Sequence, residues 1–82
     1  MKKNKIAECN VRELFPRHLR KARERKLLTQ TALAYICDLP VSLINHYEQA
    51  RRLPSIPNLI LLASYLDVST DFLLGRTVLW RP

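Results

Sequence analysis

One glycine in 82 residues is the first constraint on this chain. Phosphate-cradling loops are rich in glycine, and tight two-residue hairpins depend on it, so both a nucleotide-binding loop and a hairpin-rich β architecture are excluded and helices are favoured. Cysteine is also scarce. Cys9 and Cys37 lack CxxC spacing, and the histidines His18 and His46 do not complete a metal-ligand pattern, so both thiols are read as reduced and neither metal nor cofactor is expected. No apolar run reaches the roughly 18 residues that a membrane span needs, and no apolar stretch follows the polar start Met1-Lys2-Lys3-Asn4-Lys5. A cytoplasmic protein with no membrane partner is expected. Acidic residues are few as well, seven against fourteen Lys and Arg, which leaves a formal charge of +7. No nucleophile-base pair or carboxylate pair stands at usable spacing, so an enzyme is not expected.

What is present fits one small domain. A chain this short has room for one core and none for a separate sensor or catalytic domain. Its charge suits a polyanion and is unevenly spread: Lys2, Lys3 and Lys5 form a basic arm over residues 1–9, and Arg17, Arg20, Lys21, Arg23, Arg25 and Lys26 load one segment. Charge alone fits DNA, RNA or anionic lipid equally, and also a solvated face kept for solubility.

Periodicity and punctuation divide residues 10–76 into five helices. Asn10 with Glu13 makes a capping pair for a short turn to Leu14, and Pro16, read as a first-turn proline, predicts a first main helix from Phe15 to Lys26 with Leu19, Ala22 and Arg23 inward. Thr29 caps a second helix ending near Cys37, with Leu33, Ala34 and Cys37 on one side. Cys37 is assigned to packing, as a small hydrophobe. Asp38-Leu39-Pro40 reads as a tight turn, after which Val41 to Gln49 resumes helical spacing with Ile44 and Tyr47 inward. Ser55 and Pro57 start a fourth helix to Leu66, with Leu59, Leu62, Ala63 and Leu66 inward. Ser69 caps a fifth, which Gly75 ends. Residues 77–82 form an apolar tail.

In order and spacing, Leu19-Arg20-Lys21-Ala22-Arg23, Leu28-Thr29-Gln30-Thr31-Ala32-Leu33-Ala34, Ile44-Asn45-His46-Tyr47-Glu48, Pro54-Ser55, Leu62-Ala63 and Asp71-Phe72-Leu73-Leu74-Gly75 make a composite pattern. It resembles the phage repressor/Cro-like (XRE-type) helix-turn-helix family. The resemblance implies an all-α, compact five-helix domain, lambda-repressor-like, that binds double-stranded DNA and regulates transcription, with a repressor as the favoured form. Three departures stand out: Asp38 where the turn normally has glycine, Pro40 in place of a Ser or Thr cap, and Ala50 and Leu27 where glycine usually ends the helix.

In such proteins the second helix of the pair lies in the major groove, braced by the first. With Ile44 and Tyr47 inward, the outer face presents Val41, Ser42, Asn45 and His46 as candidate base readers: Asn suits adenine N6 and N7, Val a thymine methyl, His a guanine or a phosphate. The resemblance implies backbone contact at Gln30, beside its cap Thr29. Gln49, Arg51 and Arg52 join them as candidate phosphate contacts, with a solvated loop the competing explanation for the two arginines. Arg23 and Glu48 occupy positions that pair as ions in the family, a structural role. Leu61 and Tyr65 are placed on the fourth helix opposite the core stripe, where an apolar pair wants cover, either from the tail through Leu79 or Trp80 or from a second copy in a twofold homodimer formed by the fifth helix and the tail, which is favoured. The alternative function is the antitoxin of a toxin-antitoxin pair, with a toxin as protein partner. A nonspecific RNA or nucleoid binder is a third reading.

Overall fold

The computed structural model describes residues 2–81, with side chains from Val11 onward. It contains α1 (Lys2–Arg25), α2 (Gln30–Cys37), α3 (Val41–Glu48), α4 (Ile56–Leu66) and α5 (Thr70–Leu73), and no strand among the described residues. The Cys9 side chain lies outside the described ones.

Three helix starts follow local chemistry. The side chains of Thr29, Ser55 and Ser69 each sit at an N-cap and accept from the backbone N–H three residues on, at Ala32, Asn58 and Phe72. The start of α3 differs: Pro40 takes the extended conformation before the helix and provides no side-chain hydrogen bond. The start of α1 corrects the sequence reading. Rather than beginning at Phe15 after an arm and a separate turn, α1 runs back to Lys2 with Pro16 in its interior. Pro16 lacks the N–H that would bond the Arg12 carbonyl, and its ring is buried.

The helix ends explain how a chain with one glycine manages five helices. Leu27, Asp38, Ala50 and Asp67 all adopt left-handed φ, between 56° and 63°, each where a helix turns into its connection. Gly75, at φ 79°, stands where no other residue fits, since a Cβ there would lie 2.5 Å from the Cβ of Leu14. The single glycine is therefore spent on space as well as on backbone freedom.

The core gathers one face of every helix: Phe15, Leu19 and Ala22 of α1, Leu33, Ala34 and Cys37 of α2, Ile44 and Tyr47 of α3, Leu62, Ala63 and Leu66 of α4, and Phe72 and Leu73 of α5, with Val68 from the connection. Phe15 meets Tyr47 edge to face at 5.8 Å, and the Tyr47 hydroxyl accepts from Asn58 Nδ2 at 3.1 Å, so α3 is seated against both α1 and α4. His18, read from sequence only as a failed metal ligand, is buried: it stacks on Phe72 at 4.4 Å and its Nδ1 is hydrogen-bonded to the Phe72 carbonyl, tying α1 to α5. Leu61 is a second correction. It packs against the core instead of facing away from it, and the exposed apolar side chains of α4 are Ile56, Ile60 and Tyr65.

The tail folds back. The Trp80 carbonyl accepts from Ser69 N–H at 2.9 Å, and the Arg25 guanidinium lies 3.9 Å above the indole ring. Arg25 also donates to the carbonyls of Leu66 and Asp67, which end α4, at 3.0 and 3.2 Å. One arginine thus joins the end of α1, the end of α4 and the tail. Leu79 remains exposed, as does Val78 before it.

Candidate nucleic-acid interface

The functional site grows from the bend between α2 and α3. Asp38, at φ 56°, ends α2 by donating its N–H to the α2 carbonyls of Ala34 and Tyr35, and Leu39 turns inward against the core. Pro40 then restarts the chain at a fixed φ of −62°, and its carbonyl accepts the first bonds of α3 from Leu43 and Ile44. The two helices pack on one another, and α3 packs on α1. Burial of Ile44 and Tyr47 on the inner side leaves an outer face carrying Val41, Ser42, Asn45 and His46, the first two exposed and the other two half-buried. All four lie on one surface of α3.

A buried carboxylate holds this helix in place. The Glu48 side chain, on the last turn of α3, has no exposed surface. Arg23 Nε donates to its Oε2 at 2.6 Å and Arg23 Nη2 to Oε1 at 2.9 Å, while Arg23 Nη1 donates to the Leu28 carbonyl at 2.8 Å. Arg20 Nε adds a longer contact at 3.4 Å, and Gln30 Nε2 donates to Oε1 at 3.1 Å. Gln30 Oε1 in turn accepts from Asn45 Nδ2 at 3.2 Å. One carboxylate therefore links α1, α2 and α3, and no buried side-chain N or O atom among the described residues is left without a partner. Burial by itself pushes the Glu48 carboxyl upward, but hydrogen bonds from Arg23 and Gln30, the Arg23 charge and the Arg20 contact outweigh it and hold the group below its ordinary range. The hydrogen bond to Glu48 raises Arg23 against its own desolvation. Both groups are charged at neutral pH.

Around the reading face, Gln30 opens α2 directly beside Asn45, and the Thr29 hydroxyl oxygen is engaged as the α2 cap. Gln49 follows α3 at its exposed end, and Arg51 and Arg52 are exposed in the connection beyond. Arg12 lines the same open depression as Arg51 and Arg52. Its position on α1 was not legible from the sequence, because the segment around Pro16 did not read as continuous helix. The Gln30 bridge was equally hidden, since its partners stand 15 and 18 positions away in the chain. Tyr65 and Trp80 are not brought together with the reading face; Tyr65 is exposed on α4 and Trp80 lies under Arg25. Burial raises the Cys37 thiol, which is lodged in the core of α2. No group of three or more His, Cys, Asp or Glu suited to a metal ion occurs among the described residues, and no described helix is long and apolar enough to cross a membrane.

Comparison with known proteins gives this geometry a context. A family model described as helix-turn-helix matches residues 19–73. An HTH-type transcriptional regulator of Mycobacterium tuberculosis, PrpR, is 34% identical over 67 residues, which is 82% of this chain but only 14% of that regulator's length. The crystal structure of the restriction-modification controller protein C.AhdI from Aeromonas hydrophila superposes with a TM-score of 0.70 at 32% identity, covering 80% of this chain and 97% of that one. The matched span contains the braced α2–α3 pair together with the helices that support it, and the chain belongs to the helix-turn-helix family.

Proposed function

We propose that the protein reads a specific operator in duplex DNA by laying α3 in the major groove, and that it represses transcription by occupying that site. The observation that carries this reading is the combination of an exposed outer face on α3 with an inner face clamped to α1 and α2 through Glu48. A helix held this firmly offers its side chains in a defined register, and specificity in the major groove depends on that register. Val41, Ser42, Asn45 and His46 are assigned to base edges. Thr29, Gln30, Gln49, Arg51 and Arg52 are assigned to the phosphates on either side, and Arg12 is added to the arginine end.

Operator reading by a single eight-residue helix leaves few base contacts, and a twofold homodimer would double them across half-sites one helical turn apart. The surface assigned to that dimer is the outer side of α4 at Ile60 and Tyr65, 55% and 51% exposed, with Leu79 of the tail nearby in sequence to Trp80. The antitoxin alternative gains nothing from the two relatives, a transcriptional regulator and a controller protein, and is not carried forward.

The test is selection of bound sequences from a random duplex pool, followed by binding measurements on variants. Asn45→Ala is expected to change the preferred base at one position of the half-site, with a loss of about 1–3 kcal/mol of discrimination there. A pool that returns no consensus, with affinity governed only by salt, would refute sequence reading.

A further inference from the structure

The hydrogen bonds that leave Glu48 have a direction, and it reaches the outer face of α3. We propose that Gln30 is a positioning residue for base recognition: it transmits the acceptor-only character of the Glu48 carboxylate to Asn45 and so fixes which way round the Asn45 amide faces a base. The proposal rests on the reading of Asn45 as a base reader.

The order of atoms follows from simple chemistry. An ionised carboxylate only accepts, so the side-chain amide of Gln30 must turn its nitrogen toward Glu48, where Nε2 stands 3.1 Å from Oε1. Its oxygen then necessarily faces the other way and meets Asn45, which must answer with a donor; Nδ2 lies 3.2 Å from Gln30 Oε1. Turning over either amide would set two oxygens against each other at about hydrogen-bond distance, with no proton between them. Arg23 secures the start of the chain, since its two bonds to Glu48 hold the carboxylate both in place and ionised. The half-buried setting of Gln30 and Asn45 strengthens each link relative to open water.

The lock has a consequence for which base is read. With one amide hydrogen committed to Gln30, Asn45 retains its oxygen and its second hydrogen, in a fixed order. Adenine offers a donor at N6 beside an acceptor at N7 and matches such a pair, whereas guanine offers two acceptors, O6 and N7, and meets the fixed oxygen with an unfavourable contact. An amide free to turn and tilt could give its nitrogen to guanine O6 or N7 while its oxygen swings clear of both acceptors. Gln30 thereby sharpens the choice of adenine over guanine at the Asn45 position, in addition to any phosphate that its remaining Nε2 hydrogen meets.

The experiment compares the wild type, Gln30→Met, Asn45→Ala and the double variant on two operator duplexes, obtained by pool selection, that carry adenine or guanine at the base whose preference depends on Asn45. Methionine keeps the length of the side chain and removes both polar ends. Gln30→Met is expected to lower the adenine-to-guanine affinity ratio about three- to tenfold, and to leave it unchanged when Asn45 is already alanine. Equal loss on both duplexes with an unaltered ratio would overturn the lock and leave Gln30 as a phosphate contact. An Asn45→Ala variant with the wild-type ratio would instead overturn the reader assignment, and the lock with it. A second readout needs no DNA: the side-chain amide resonances of Asn45 in the free protein should move toward those of an unstructured chain in Gln30→Met. Resonances that stay at their wild-type positions would also refute the proposal.

Discussion

Glu48 is the residue on which the reading surface turns, and its two arginines are not equivalent. The Arg23 side chain is 12% exposed and makes two short bonds to the carboxylate, whereas that of Arg20 is 55% exposed and makes one long bond. Removing Arg23 strands a buried charge and is expected to cost about 3–5 kcal/mol, while Arg20→Ala should cost less than about 1 kcal/mol. Chemical denaturation of the two variants beside the wild type measures both. The same pair sets a pH dependence whose sign is fixed. The folded-state Glu48 carboxyl lies below its ordinary value, so its contribution is fully present above the usual carboxylate range and fades as pH falls through the folded value. The penalty of Arg23→Ala should accordingly be largest at neutral pH and shrink on acidification, as protonation of Glu48 relieves the stranded charge. Arg23 and Glu48 are recognisable in the sequence as a family pair, but the further links to Gln30 and Asn45 are not, because no periodicity relates side chains that meet only after three helices have packed.

The ends of the helices make a prediction of their own. Leu27 is 92% exposed and sits at φ 58°, so its side chain packs on nothing while its backbone carries the cost of the left-handed region. Leu27→Gly should stabilise the fold by about 1 kcal/mol, raising the melting temperature by roughly 4–8 °C. Gly75→Ala should do the reverse, and by more, because the added carbon collides with Leu14. A thermal melt that placed both variants on the same side of the wild type would contradict this account. The same local chemistry explains what was legible from sequence. Thr29, Ser55 and Ser69 announced α2, α4 and α5 because a capping hydroxyl is a local device that works wherever it stands. The long α1 was misread because Pro16 is also a local signal, here overridden by burial of its ring within a longer helix. Leu61 was misplaced for a related reason: α4 is apolar on several sides, and no face of it is marked as solvent by charge. Which apolar residue turns inward is then decided by its neighbours in space.

At the scale of the whole molecule, a charge of +7 on 82 residues supplies attraction to DNA, and the arrangement of surfaces decides what that attraction becomes. The face proposed to read bases lies on α3, while the exposed apolar side chains Ile60 and Tyr65 lie on α4, and association through α4 is expected to leave α3 available. Sedimentation equilibrium should show a monomer-dimer equilibrium that Tyr65→Lys shifts toward monomer, with a weaker operator complex and an unchanged fold. A wild type that remains monomeric at high concentration would remove the dimer from the proposal. The clamp on α3 bears finally on how such a protein can be retargeted. Val41 and Ser42 are exposed and His46 half-buried on the outer face of α3, so exchanging them is expected to redirect operator choice with little effect on the scaffold. Asn45 is coupled through Gln30 to the residue that keeps the helix in place. On the proposed reading, lineages that change operators, or engineers who graft new reading helices onto this frame, would have three letters to rewrite independently and a fourth to rewrite together with position 30.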